Sequence, residues 1–370
     1  MTTRLYYDLA ALVLFALVIV LGVPALMGFD GFELNTFARY LALAIVSLAL
    51  ALSWGSAGLL NLGQAATFGM GSYAMAMHLK LKASGEALPD FMGWNNVPEL
   101  PLLWAPFHSL GFTLLAGLLV PAFVGGLIAI FMFRARIAGV FVAIITLAFL
   151  VAFQLVVIEQ QGITGGQNGL TGLAPLSLMG WTVDTYGVGF YYLVAGCLMA
   201  AVTFGLYLTH SKFGLILRAI REDADRTRFF GYNVANYQTV IFCISAALAG
   251  WSGMLYTLVL EFASPTYMSV SFSLAIVIWC AVGGRDSVIA AAIGAIIVNL
   301  LEGRLSDVFV EGWNLMLGVI FVLVVMFMPR GLHGVISDLW QGLCQGMRKD
   351  RTPSSTPNRG AQPVKSGQER

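Results

Sequence analysis

Charge is what this sequence has least of. Asp, Glu, Lys and Arg make up 11% of its 370 residues, whereas 58% are hydrophobic. Soluble domains sit nearer a quarter charged and half apolar, and one water-soluble core cannot bury so much apolar side chain. Lipid is therefore the solvent for much of the chain. The formal net charge of +1 leaves no surplus of basic residues to meet phosphates, which argues against nucleic acid as a partner. Cysteine is also scarce. Cys197, Cys243, Cys280 and Cys344 include no CxxC pair, and the first three lie in apolar runs. They read as small packing residues.

Chemical motifs are missing too. His78, His108, His210 and His333 are scattered among helix ends and loops, and there is no His-Glu-x-x-His and no Gly-x-Ser-x-Gly. Without clustered ligands or a nucleophile beside a base, the sequence offers no metal site and no catalytic residue, which counts against an integral-membrane enzyme. No Gly-x-x-x-x-Gly-Lys-Ser/Thr occurs either, so the chain binds no ATP through a phosphate loop of its own. Ionisable residues are nearly absent from the apolar runs. Carriers driven by protons or sodium usually need one along their path.

What the sequence has is long apolar runs. They fall near 9–27, 37–53, 58–79, 111–133, 137–158, 187–210, 238–260, 269–283, 287–301 and 311–328, against about 20 residues for one crossing. The fold expected is all-α and integral to the membrane, with about ten transmembrane helices. The runs at 269–283 and 287–301 are short, and Gly283-Gly284-Arg285-Asp286 turns the chain between them. They read as tilted spans or as half-helices. With both termini inside, Arg4, Arg134, Arg136, Lys212, Arg218, Arg221, Arg226, Arg228, Arg285 and Arg330 share the cytoplasmic side, leaving Arg39, Lys80, Lys82 and Arg304 outside. That asymmetry follows the positive-inside rule. Residues 1–36 then form a first span and external loop, 37–335 the core, and 336–370 a cytoplasmic tail. Beyond about 348, Arg-Thr-Pro-Ser-Ser-Thr-Pro has too little apolar content to fold.

Uncharged polar groups sit inside the runs, among them Ser47, Asn61, Gln64, Thr67, Thr146, Gln154, Ser245 and Asn299. They either bridge helices or line a route for a neutral, hydrogen-bonding solute. Asn61, Gln64 and Thr146, with Asn168 in the external loop Gly165-Gly166-Gln167-Asn168-Gly169, are the candidate pathway residues. The segment 211–231 is the most informative soluble-facing piece. Phe213, Ile216, Leu217, Ile220 and Ala224 recur at helical spacing, and Arg218, Arg221, Glu222 and Asp225 fall on the other face. Pairs four apart would support one helix over 211–228, either resting on the membrane surface or docking a cytoplasmic partner.

Several of these stretches carry a family resemblance. Gly58-Leu59-Leu60-Asn61-Leu62-Gly63-Gln64, the run from Gly139 to Phe149, Thr164-Gly165-Gly166-Gln167-Asn168-Gly169-Leu170, the run Ser211-Lys212-Phe213-Gly214 to Asp223, and Pro329-Arg330-Gly331-Leu332 resemble, in order, the permeases of branched-chain amino-acid ABC importers. Tyr73 to Lys80 and the external insertion at 81–109, with Leu88-Pro89-Asp90 and Pro98-Glu99-Leu100-Pro101, resemble the urea-importer branch of that family. The resemblance implies the ABC importer permease fold, in the inner (plasma) membrane of a bacterium. It implies urea as the solute, with a branched-chain amino acid as the alternative. It also implies a second homologous permease, two ATP-binding subunits that hold ATP and Mg, and a periplasmic solute-binding protein; this chain would carry no cofactor. Phe213, Gly214, Arg218, Ala219, Ile220, Arg221, Glu222 and Asp223 match the family's coupling loop.

Overall fold

Inside a bilayer the backbone finds no water, so spanning segments must satisfy their N–H and C=O groups internally, and helices do this segment by segment. The computed structural model describes residues 2–85, 87–178 and 181–306, with isolated positions 318, 319, 326, 331, 332 and 334. Strand structure among the described residues is confined to a two-residue antiparallel pairing of Ser177–Leu178 with Trp181–Thr182 and one isolated bridge, Leu170 to Ala263.

Helix α1 (Thr2–Leu17) runs through a π-helical turn (Val18–Gly22) into Val23–Leu26. Then come α2 (Gly31–Ala57), α3 (Gln64–Ser84), α4 (Leu110–Arg134), α5 (Val140–Glu159) and α6 (Val188–His210). Two short helices, α7 (Lys212–Glu222) and α8 (Ala224–Phe229), lead to α9 (Val234–Leu260). A bent pair, α10 (Val270–Gly283) and α11 (Val288–Ser306), ends the described core.

Among the described residues six helices are long and apolar enough to cross a membrane, and the bent pair makes a seventh if it counts as one span. The expected ten are not all found as such spans. The run at 311–328 and the tail at 336–370 lie outside the described residues, apart from the isolated positions. The runs at 269–283 and 287–301 form half-helices whose axes bend by 118°. The run at 58–79 differs most, because its helix starts only at Gln64 and residues 58–63 are not helical.

Helices α2, α3 and α9 form the centre. Side chains along α2 from Leu41 to Leu50 are almost wholly buried, whereas α1, α4, α5 and α6 expose apolar faces such as Leu14, Leu115, Phe123, Phe141 and Leu155. Small residues permit the central crossing. A methyl group on Gly71 would strike the Gly250 carbonyl of α9, and one on Gly253 would strike the Phe68 carbonyl of α3. Helix α3 is therefore central although its own sequence, Gln-Ala-Ala-Thr-Phe-Gly-Met-Gly-Ser, is only mildly apolar: it packs on protein.

Candidate functional site

The interruption between α2 and α3 is the structural core of the site. Gly58 ends α2 with φ of 73°, a left-handed conformation that glycine adopts at no steric cost. Six residues later α3 begins, well inside the bundle. Gln64 donates from Nε2 to the Ser245 carbonyl at 3.0 Å and its hydroxyl at 3.1 Å, and Ser245 donates in turn to Ala49 O at 2.6 Å. At a rise of about 1.5 Å per residue, Ala49 and Ser245 lie roughly 12 and 16 Å inward from the nearer ends of their helices. Non-helical backbone at such depth persists only where protein or a cavity satisfies it.

Satisfaction here comes from side chains. Asn61 Oδ1 accepts from Gly63 N at 2.9 Å, and its Nδ2 donates to Gln64 Oε1 at 2.7 Å. Thr146 Oγ1 on α5 accepts from Leu62 N at 3.1 Å while donating within its own helix, to Val142 O at 2.9 Å or Ala143 O at 3.0 Å. Ser273, near the start of α10, donates to Leu62 O. The structure thus brings Asn61, Gln64 and Thr146 together, each at most 1% exposed, in a polar clasp that closes on itself. Ser245 and Ser273 complete it. Ser245 stands out in the sequence as a polar residue in a span. Ser273, at a helix start, gives no such signal.

Above the clasp lies an aromatic layer. The Phe68 ring sits 5.4 Å from Tyr256, 6.4 Å from Tyr267 and 5.1 Å from Phe272, centroid to centroid. Such tilted and edge-on arrangements suit aromatic quadrupoles. These rings come from α3, α9, the 3-10 turn Pro265–Met268 and α10, so sequence reading does not group them. Met268 packs over Gly69, which brings the descending segment 261–269 against the inner half of α3.

Asn168 stands apart. It is exposed in the 3-10 turn Gly166–Asn168, beside Lys80, Asp90 and Thr171 in a cleft at the other end of α3. There the buried Lys80 ammonium donates to Asp90 Oδ2 and Thr171 O, both at 2.9 Å, tying the insertion and the glycine loop to α3. That hydrogen bond holds the Asp90 carboxyl below the usual carboxylate range. Two further contacts share this end, Thr185 with Glu261 at 3.0 Å and Asn35 with Thr185 O at 2.9 Å.

At the opposite end the segment 211–229 forms two helices rather than one. Ser211 caps α7, and Asp223, with extended backbone (φ −156°, ψ 101°), starts α8 by accepting from Asp225 N and Arg226 N. The cap competes with a continuous helix and prevails. The ion pairs formed are accordingly Arg226–Asp223 and Arg228–Asp225, three apart. Gly214, Leu217 and Ile220 face the bundle, and Phe213 stacks on Tyr237 at 5.4 Å. Lys212, Leu215, Arg218, Ala219 and Glu222 are exposed. Arg221 turns inward, to Gly55 O and to Asp286 Oδ1 at 2.6 Å.

Comparison with known proteins gives one family for most of the chain. Residues 33–325 match the family described as branched-chain amino acid transport system, permease component. The chain is 30% identical over 315 residues to the high-affinity branched-chain amino acid transport system permease protein LivM of Salmonella typhimurium, covering 78% of this chain and 67% of that one. Similarity to LivM of Escherichia coli is 29% with the same coverage. A probable branched-chain amino acid transport permease of Methanocaldococcus jannaschii is 24% identical, over 78% of this chain and 89% of its own. No solved structure matches. Nothing in these matches sets the chain with urea permeases, so the expectation drawn from the 81–109 insertion gains no support. With its apolar helices and a family match from residue 33 to 325, this chain is a multi-pass protein of the inner membrane and belongs to the family of branched-chain amino acid transport permease components.

Proposed function

We propose that this chain is the permease subunit of an ATP-driven importer whose solute is a branched-chain aliphatic amino acid, and that urea, the solute first expected, is not carried. The relatives' names support the class. The observation that carries the solute reading is the division of the site into a self-satisfied polar clasp and an aromatic layer. Asn61, Gln64 and Thr146 already spend their hydrogen bonds on one another and on backbone, so they offer little to urea, which needs donors and acceptors all round. Phe68, Tyr256, Tyr267 and Phe272 suit an apolar branch instead. On this reading solute enters past the cleft holding Asn168 and passes beside the clasp.

The energy comes from partners. A second homologous permease, two ATP-binding subunits holding ATP and Mg, and a periplasmic binding protein complete the assembly. Both termini lie in the cytoplasm, and the exposed face of α7, with Lys212, Leu215, Arg218, Ala219 and Glu222, meets the ATPase. Competition uptake in cells expressing the whole system tests the solute. Labelled leucine should enter saturably, be displaced by isoleucine or valine, and ignore a large excess of urea. Saturable urea entry with no displacement by leucine would reject the reading.

A further inference from the structure

Two interrupted helices meet one residue at the α7 end of the molecule. The first is the α2–α3 break at 58–63, the second the α10–α11 turn at 284–287. The Arg221 guanidinium donates through the same Nη1 to Gly55 O, in the last turn of α2, and to Asp286 Oδ1 in the turn. The two breaks are pressed together there. A methyl on Gly55 would strike the Arg285 carbonyl, and the Arg285 guanidinium lies 5.2 Å over the Trp54 ring. The stem of Arg221 also covers Gly58, its Cγ 3.3 Å from where a Cβ would stand.

Farther inside, the same two elements meet again at Leu62. Its carbonyl accepts from Ser273 of α10, and its N–H is held by Thr146 of α5. A closed mechanical loop results: α7 to Gly55 and Asp286, along the break and along α10, to Leu62. Helix α10 is short, 14 residues or about 21 Å, so a shift at its Gly283 end reaches Ser273 as a rigid-body motion.

We propose that Arg221 is a positioning residue that latches α7 to both interrupted helices, so that displacement of α7 opens the polar clasp at Leu62. The driving of α7 by an ATPase rests on the function proposed above; the linkage itself does not. Arg221 thereby acts inside the chain, whereas Arg218, whose guanidinium bonds Gly214 O and Thr209 O of its own surroundings, stays on the exposed face.

The test uses the full transporter, this chain with its partner subunits, in lipid nanodiscs for hydrogen exchange and in proteoliposomes for uptake. Arg221→Gln should speed amide exchange across 58–64 at least tenfold and lower solute transported per ATP by a similar factor. Arg221→Lys, which keeps one charged donor, should recover part of both. Arg228→Gln on α8, which removes only the ion pair with Asp225, should leave exchange at 58–64 unchanged. Unchanged exchange at 58–64 in Arg221→Gln would overturn the latch. So would a rise spread evenly over all helices, which marks a merely stabilising contact. If the unaltered complex moves no solute with ATP, the importer reading fails, while the exchange arm still decides the linkage.

Discussion

At the scale of single residues the clasp makes strong demands. Gln64 is fully buried, with both of its amide atoms bonded. Gln64→Leu would strand Asn61 Nδ2, and leaving a buried polar group unpaired costs about 1–3 kcal/mol. The unfolding midpoint in detergent should fall accordingly, while Asn168→Ala, at an exposed turn, should stay within about 0.5 kcal/mol of the parent. Equal midpoints for all three proteins would contradict the clasp. Asp90 gives a pH signature. Its carboxyl is held below the ordinary value by Lys80, so the Lys80 contact stabilises the insertion at any pH above the ordinary carboxylate range, near 3.9. That contribution fades only as pH drops through the lowered value of the folded protein. Protection of the helix Asp90–Trp94 against hydrogen exchange should therefore hold from neutral pH down to about 4 and fall below it, and Asp90→Asn should flatten that dependence. Sequence made Asn61, Gln64 and Thr146 legible as polar groups, though not as a clasp, because amides and hydroxyls inside apolar runs are conspicuous. Phe68, Tyr256, Tyr267 and Phe272 were not, since an aromatic in or beside a membrane helix reads the same whether it meets lipid or other rings.

Among elements, most helices were legible from their apolar runs alone. The position of the α2–α3 break was not: the runs part at 54–57, and Leu59, Leu60 and Leu62 carry the second one back through 58–63, where the chain is not helical. Only Gly58, Gly63 and Asn61 hint at an interruption, and small residues in a membrane helix serve close packing equally well. The single helix expected over 211–228 failed for a related reason: in a charged, periodic stretch the capping of α8 by Asp223 competes with pairs four apart, and only the fold shows which prevails. The central crossing yields a direct prediction. Gly253→Val in α9 would drive a branched side chain into the α3 backbone at Phe68, where neither chain can yield. Overpacking of this kind costs about 3 kcal/mol or more, so the variant should elute aggregated, while Gly189→Val on open surface should elute as the parent does. A monodisperse Gly253→Val protein would show that α3 and α9 do not cross as described.

For the whole molecule, contacts group the helix ends even without a membrane. Asp8 with His210 at 2.9 Å and Arg221 with Asp286 mark one end, and Lys80 with Asp90 and Thr185 with Glu261 mark the other. The basic residues of 212–228 cluster at the first, the end that the proposed orientation sets inside by the positive-inside rule. A reporter fused at Ala224 should accordingly read cytoplasmic and one at Ser84 external; both on one side would overturn that orientation. The permease class was legible in the sequence because motifs such as Gly58 to Gln64 and Ser211 to Asp223 stand in the family's order. The solute was not, since an external insertion at 81–109 says little about how the rings of α3, α9 and α10 pack. The central claim, transport powered by separate ATPases, is tested most directly by reconstitution. Proteoliposomes holding this chain, its partner subunits and loaded binding protein should accumulate labelled leucine when ATP and Mg are supplied to the ATPase side, with no ion gradient. Accumulation by this chain alone under a proton or sodium gradient, indifferent to ATP, would contradict the account.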